Sequence, residues 1–541
     1  MARMEIDVRE DRLSAALEAF VDVLGRDAVV RDRDQLREFR DPYVPASWDE
    51  HTASAMVLPT SVEQVRAVVG IANDHGVPLW TFSQGRNYGY GGPAPRVRRS
   101  VLVNLRRMDR ILEIHPDLAY ALVEPGVRFF DLYDAIRAAG HKLWPSIPDL
   151  GWGSVVGNTL DHGVGFTPLG DHPGRQCGME IVLGDGEVLR TGMGAMATSR
   201  AWQAAKRGFG PSLDGLFMQS NFGIVTKLGV WLLPEPERYV SCDVQVPEES
   251  DLGQLVEAVR PLLLDGTIPN TPIAYNAPLV AGAFGGLNRA DYYQGDGPVP
   301  DEIVRRMAAD AGVGWWWMRF ALYGREDVVE AQLRHCERAF SAIPGASMAA
   351  RRYDGATVAD ALAGGGEGLS MLQLQSDRTQ AGIPGLEMLD NISWSDESGT
   401  GGHLDFSPIA PLTGVEALRQ NRFLRELFEA HGFDYAASLM MSPRSFINIC
   451  SLWFDTADEE QTRAAYDFLK VVATAAVGEG WGAYRAHLHV MDTVAETYGF
   501  NDGSQGRVHR RIKRALDPNG VLAPGKSGIW PDGRLEDGEA Q

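Results

Sequence analysis

The sequence predicts a two-domain α+β fold, and three observations carry that expectation. At 541 residues the chain exceeds what one hydrophobic core organises. The first 240 residues or so place strands and helices in an irregular order, without the regular alternation of a Rossmann sheet. At Pro234-Glu-Pro-Glu the composition changes, and from about 241 to 482 long strands alternate with long helices.

Taken in order, residues 13–24 space their apolar side chains on one helical face, and an aspartate-rich polar loop runs on to about residue 47. Residues 55–58 read as a strand. Ser61 and Gln64 have capping-box spacing ahead of a helical face made by Val65, Val68, Val69 and Ala72. Gly76 stands where a helix closes on a left-handed residue. The apolar run 77–82 reads as a buried strand leading into Ser-Gln-Gly-Arg-Asn-Tyr-Gly-Tyr-Gly-Gly at 83–92. Four glycines in ten residues let a backbone turn tightly and approach a ligand, and successive N–H groups in such a turn can cradle an anion. The same stretch reads equally well as a surface turn, and it fits neither the dinucleotide fingerprint nor a Walker A loop.

Strands at 101–105, Ile111–His115 and Tyr120–Val123 follow, then a helix carrying Phe129, Leu132, Tyr133 and Ile136 that Gly140 ends. A second glycine-rich region spans 148–170, and a strand begins at Ile224. Beyond the composition change, a strand at 315–322 precedes a helix at 326–343, and a strand at 403–409 precedes a helix at 415–430. Two such halves imply an antiparallel sheet. Trp315-Trp-Trp317 reads as core. A basic helix at 508–516 stops at Asp517-Pro-Asn-Gly, and the acidic tail 531–541 reads as disordered.

Composition narrows the function. A net charge of −21 and a pI near 5.0 disfavour a nucleic-acid or anionic-membrane partner. Cys177, Cys242, Cys336 and Cys450 are isolated, which argues for reduced thiols and against a metal cluster. The charged N-terminus lacks a signal-peptide core, and no run approaches 18 apolar residues, so a cytoplasmic location is expected.

Several stretches gain meaning when they are taken together. They are Gly-Arg-Asn-Tyr-Gly-Tyr-Gly-Gly (85–92), Pro-Asp-Leu-Gly-Trp-Gly-Ser-Val-Val-Gly-Asn (148–158) and Gln-Ser-Asn-Phe-Gly-Ile-Val-Thr-Lys (219–227). Gly-Gly-His-Leu-Asp-Phe-Ser-Pro (401–408), Tyr-Arg-Ala-His (484–487) and Asp-Pro-Asn-Gly…Ala-Pro-Gly-Lys-Ser-Gly (517–528) continue the series. Each is weak alone, and in this order they are specific: together they resemble the vanillyl-alcohol oxidase family of FAD enzymes, the 4-phenol oxidases. The resemblance implies an FAD-binding domain over 1–240, completed by 485–541, and an α+β cap domain over 241–484. It places FAD on Ser83, Gly85, Arg86, Asn87, Gly89, Gly91, Gly92, Pro148, Gly151, Ser154, Gly157, Asn158, Gly223, Ile224, Val225 and Lys526.

The resemblance also assigns the chemistry. His403, in a setting where a lone histidine is otherwise most often structural, would be joined covalently to the flavin 8α carbon, as a neutral imidazole nitrogen is a competent nucleophile. Tyr90, Tyr484 and Arg485 would hold a substrate phenol as its anion, and Asp149 would stabilise or hydrate the resulting para-quinone methide. Pro148 stands where relatives influence access of O2 to the flavin. Ser407 and Ser438 would line the substrate side. Asp405 departs from the glycine or bulky apolar residue of relatives, adding a second carboxylate if it points inward and nothing if it points outward. Phe446-Ile447-Asn448 replaces a Met-His-His of relatives. The expected activity is oxidation of 4-hydroxybenzylic alcohols, 4-alkylphenols or 4-allylphenols by covalent FAD, with O2 reduced to peroxide and a homodimer as the assembly. A para-cresol-methylhydroxylase-like dehydrogenase with an electron-carrier partner and a 2-hydroxy-acid oxidase are the alternatives.

Overall fold

Three sheets carry the fold. The computed structural model describes residues 10–45, 48, 52–284, 287–295, 297–389 and 400–531, so the acidic tail beyond Pro531 lies outside the described residues. A four-stranded mixed sheet runs in the order Val29–Val30, Ala55–Val57, Val101–Asn104, Leu79–Phe82. Its last three strands are parallel, and helices Glu10–Leu24 and Val62–His75 pack with it in one core. Gly76 ends the second helix at φ 66°, as expected. A five-stranded antiparallel sheet follows, ordered Ile111–His115, Tyr120–Val123, Gly223–Trp231, Gln176–Leu183, Val188–Arg190. The C-terminal segment returns to the first sheet, where Leu522 bridges Leu79, and Lys513 Nζ donates to the Asn221 and Leu522 carbonyls at 2.6 Å.

The third sheet has eight antiparallel strands. Its main path is Ser347–Asp354, Arg238–Val246, Trp316–Gly324, Ile273–Asn276, Ala436–Met441, Ser445–Asp455, Gly401–Phe406, and Ile409–Pro411 pairs beside Ser445–Asp455. Side chains alternate across a strand, and the register sorts this sheet into two unlike faces. Cys242, Val244, Met318, Phe320, Ala437, Leu439, Leu452, Leu404 and Phe406 are buried in a core shared with helices Leu252–Leu264, Glu326–Phe340, Gly414–Ala430 and Glu459–Gly478. The opposite face carries His403, Asp405, Ser438, Tyr275, Arg319 and Asp243. Trp315, Trp316 and Trp317 are all buried, as the sequence implied.

Four details depart from the sequence reading. The polar loop after residue 24 contains a 3₁₀ turn at Arg26–Ala28, the strand Val29–Val30 and the helix Arg33–Arg37. Elements this short carry no readable periodicity; the strand forms against Ala55–Val57, and Asp32 caps the helix by accepting from Gln35 N at 2.9 Å. The return arm of the capping box goes to Thr60, whose N–H donates to Gln64 Oε1 at 2.7 Å, while Ser61 Oγ accepts from Gln64 N. The strand expected at 403–409 divides into Gly401–Phe406 and Ile409–Pro411, because Pro408 between them has no N–H for the ladder. The C-terminal helix begins earlier than residue 508, just after a left-handed kink at Asn501, Asp502 and Gly503, and runs to Leu516.

Behind the glycine loop lies a fully buried polar cluster. Asp41 accepts from Tyr466 Oη at 2.8 Å and stands 3.1 Å from His487 Nε2. Burial alone would raise the Asp41 carboxyl, but the His487 imidazole and the Tyr466 and Tyr43 donors outweigh it and lower it. A lowered carboxyl contributes stability above its unfolded value of about 4, and loses it as pH falls through the folded value. Asp41→Asn is therefore expected to unfold at lower urea than the parent at pH 7, with the gap closing below about pH 4. A gap independent of pH would contradict this.

Candidate active site

Tyr90 closes the 3₁₀ turn Tyr88–Tyr90 in the glycine loop, and its hydroxyl lies 2.7 Å from Ser407 Oγ. Ser407 also accepts from Tyr484 N through its carbonyl at 3.1 Å, which ties the end of the cap sheet to the Tyr484-Arg485 segment. Gln219 Nε2 holds the Tyr484 carbonyl at 2.8 Å. The Arg485 guanidinium sits 5.6 Å from the Tyr90 ring centroid and 5.1 Å from that of Tyr484. Burial pushes both tyrosine hydroxyls upward, so both remain neutral donors at physiological pH. Burial also works against the Arg485 charge, yet Tyr484 and Asp161 outweigh it and hold that group above its ordinary value. One fixed cation and two hydroxyls thus converge.

Asp161 anchors that cation. Its carbonyl accepts from Arg485 Nε, and its carboxylate accepts from Asn87 Nδ2 at 3.2 Å and Lys526 Nζ at 3.3 Å. Burial would raise this carboxyl, but Lys526 and Arg485 together lower it. One acidic residue therefore joins the glycine loop, the C-terminal segment and Arg485.

The two remaining carboxylates occupy different ends. Asp149 Oδ1 accepts from Arg319 Nη2 at 2.6 Å and from Gln375 Nε2 at 2.9 Å. Arg319 is 1% exposed, lies 4.0 Å from the Phe166 ring and donates to Thr379 Oγ1 at 2.9 Å. Burial opposes its charge, and Asp149 more than compensates. The Tyr275 hydroxyl is buried there without a hydrogen-bond partner among the described residues, across the sheet from Ser438. Asp405 points inward. Its Oδ1 accepts from Ser451 Oγ at 2.8 Å, and its Oδ2 stands 3.7 Å from His403 Nε2. His403 Nδ1 is hydrogen-bonded to Tyr43 Oη at 3.0 Å, which turns Nε2 toward the glycine loop. A Cβ on Gly89 would collide with Asp405 Oδ2 and lie 2.9 Å from His403 Nε2, so only glycine lets the loop close over this strand.

Two family descriptions match the chain, "FAD binding domain" over residues 53–192 and "FAD linked oxidases, C-terminal domain" over residues 316–527. The flavoprotein subunit of 4-cresol dehydrogenase (hydroxylating) from Pseudomonas putida is 36% identical over 96% of each chain. The 4-ethylphenol oxidase of Gulosibacter chungangensis, solved as an isoeugenol complex, superposes with a TM-score of 0.92 at 38% identity, covering 98% of this chain and all (100%) of that one. A substrate-bound p-cresol methylhydroxylase structure gives 0.91 at 35% identity, with 97% and 99% covered. The chain belongs to the vanillyl-alcohol oxidase/p-cresol methylhydroxylase family of FAD-binding oxidases. It is a flavoprotein with the two-domain FAD-binding fold of that family.

The residues present fit the cofactor of the family. Gly85, Gly91 and Gly92 take φ of 63°, 95° and 58°, which folds the loop tightly, with the Gly91 and Gly92 N–H groups donating to the Tyr88 and Asn87 carbonyls at 3.0 Å. A Cβ on Gly157 would collide with Ser83 Oγ, so the two glycine-rich segments meet at backbone distance. Arg86, over the Trp152 ring at 4.8 Å, and Lys526 bring cations to the same region. Not every predicted FAD residue offers its side chain. Ser154 Oγ accepts from Gly157 N at 2.9 Å as a helix cap, and Asn158 Oδ1 is committed to His172 Nδ1 at 2.6 Å. Ile224 and Val225 are buried in the strand Gly223–Trp231. Gly151 packs against Phe130 and Pro384. The backbone there is engaged as well: Gly151 N donates to the Gly385 carbonyl at 3.0 Å, Asn158 N to that of Ser154 at 2.9 Å, and Ile224 and Val225 pair in the ladder with Val182 and Ile181.

Sequence reasoning missed Tyr43, Asp161, Tyr275, Arg319 and Gln375. One of them left a trace: Arg319 interrupts the apolar run Trp-Trp-Met-Arg-Phe-Ala-Leu, and an arginine inside such a strand is almost never buried without a partner. Of the replaced Phe446-Ile447-Asn448, Phe446 is core and Asn448 donates to Tyr435 Oη at 3.0 Å, away from the polar face. Ile447 lies opposite Met440, on the same side of the sheet as Ser438. No helix among the described residues is long and apolar enough to cross a membrane.

Proposed function

We propose that this protein is an oxidase of para-substituted phenols, acting on 4-alkylphenols, 4-allylphenols or 4-hydroxybenzylic alcohols. The observation that carries the reading is the convergence of the Arg485 guanidinium with the Tyr90 and Tyr484 rings. A phenol titrates near 10 in water; a permanent cation and two neutral O–H donors at its oxygen bring that value down. Near full-length similarity to proteins named for 4-cresol and 4-ethylphenol supports the same substrate class. The division into an FAD domain over 1–240 with 485–541 and a cap over 241–484 accords with it.

Residues of this chain would act as follows. Arg485, Tyr90 and Tyr484 hold the substrate oxygen as its anion, whose electron density is delivered through the ring to the para position. The benzylic carbon then becomes a hydride donor and the substrate leaves as a para-quinone methide. FAD, when bound, supplies the hydride acceptor and the site of O2 reduction. Asp149 is held through Oδ1 by Arg319 and Gln375, and its Oδ2 remains to accept a proton from the water that adds to the methide. His403 Nε2, the ring nitrogen left by the Tyr43 bond, is the atom that would carry the flavin.

Anaerobic mixing with 4-ethylphenol should bleach the bound flavin, and admission of air should restore it with one peroxide per substrate. Failure of every para-alkylphenol to bleach it would sink the phenol assignment. Bleaching followed by sluggish reoxidation and no peroxide would instead hand the electrons to a carrier, as expected of a dehydrogenase. On acid precipitation the yellow colour should stay with the protein and move to the supernatant in His403→Ala.

A further inference from the structure

The proposed reading places a carboxylate at each end of the substrate cavity, and the two ends differ. Asp149 interacts electrostatically with Arg319 and Tyr275. Asp405 acts on Tyr90, Tyr484 and Arg485, the groups assigned to the phenol oxygen. The sheet explains the separation. Four strand spacings divide Gly401–Phe406, which bears Asp405, from Trp316–Gly324, which bears Arg319, or about 19 Å of backbone at about 4.8 Å each. Asp149 therefore belongs to the para chain and Asp405 to the oxygen end, beside the ring positions ortho to it.

Asp405 is also held in one attitude. Ser451, directly opposite on the neighbouring strand, donates to Oδ1 at 2.8 Å. Oδ2 has no hydrogen bond among the described residues and faces the loop that carries Tyr90, with His403 Nε2 at 3.7 Å. An ionised carboxylate only accepts, so an ortho group is welcome there if it donates. An ortho-hydroxyl does; an ortho-methoxy group presents further acceptor lone pairs and strips water from the carboxylate without replacement.

We propose that Asp405 sets the ortho specificity of this protein, accepting a hydrogen bond through Oδ2 from a hydroxyl beside the phenol oxygen. Para-substituted catechols are then preferred over the matching ortho-methoxyphenols. This rests on the phenol reading above for the orientation of the ring.

The test uses the holoprotein and two readouts. Perturbation of flavin absorbance gives dissociation constants for the unreactive ligands phenol, catechol and 2-methoxyphenol. Anaerobic flavin reduction gives rates for 4-ethylphenol, 4-ethylcatechol and 4-ethyl-2-methoxyphenol. The parent should bind catechol over 2-methoxyphenol by about tenfold or more, the worth of a hydrogen bond to a charged group. Asp405→Asn, whose amide donates, should shrink or invert that ratio, and Asp405→Gly should erase it. Ser451→Ala, which releases Oδ1, should lower it and serves if the Asp405 variants fail to fold. A parent without the preference, or a preference that survives in the Asp405 variants, overturns the proposal. If no para-alkylphenol reduces the flavin while catechol still binds selectively, it is the phenol reading that fails.

Discussion

Arg485→Ala is expected to lower kcat/KM for 4-ethylphenol by about 100- to 1,000-fold, the scale of removing one preorganised charge partner from a developing anion. The guanidinium lies against both tyrosine rings, so its loss leaves two neutral hydroxyls to hold a phenolate. Neutral donors cannot supply the missing charge. The pH profile separates this cause from simple misfolding. Without the cation, turnover should climb as pH approaches the free phenol value near 10, because the proposed role of Arg485, forming the anion at neutral pH, then passes to solvent. The parent profile should be flat over the same range. Arg485→Lys should recover little, since a point charge does not reproduce the planar fork that also donates to the Asp161 carbonyl. Equal activity in Arg485→Ala and parent at pH 7 would remove this residue from the chemistry.

Arg319→Met is expected to cost about 3–5 kcal/mol of stability, as one partner of a buried ion pair is deleted and the other left uncompensated. The guanidinium is 1% exposed, and once it is gone Asp149 keeps Gln375 as its one side-chain donor among the described residues. Urea unfolding of the holoprotein measures the loss, and Asp149→Asn in the same chain should restore part of it. That restoration is the coupling of the pair, read as a double-mutant cycle. Turnover should fall in both variants, because Asp149 loses either its orientation or its charge. A fully additive cycle would mean the two side chains do not depend on each other.

The site was legible in the sequence to an uneven degree, and particular residues show why. Tyr90, Asp149 and His403 each have a glycine or proline beside them in a short contiguous motif, and Tyr484 and Arg485 are adjacent to each other, so their types and spacing survive in one dimension. Gln375 and Tyr275 sit inside a helix and a strand with nothing local to single them out, and Arg319, although it interrupts an apolar strand, gives no sign along the chain of which carboxylate it meets. Asp161 was passed over for a different reason. Its importance is that it touches residues 87, 485 and 526 at once, a property of distance in space that spacing along the chain does not encode. The fold shows the same division: helices with capping residues and apolar faces were readable, and the two-residue strand Val29–Val30, which exists only because Ala55–Val57 offers it an edge, was not.

By itself the sequence determined the α+β class, the FAD-binding family and the residue types available for the chemistry, because these rest on local periodicity and contiguous motifs. Only the tertiary structure decided where Asp405 points. Strand alternation turns it to the same face as His403, and Ser451 across the ladder holds it there. The absent Cβ of Gly89, more than 300 residues earlier, gives the carboxylate its space. Those three conditions come from different parts of the chain, and packing is what brings them to one place.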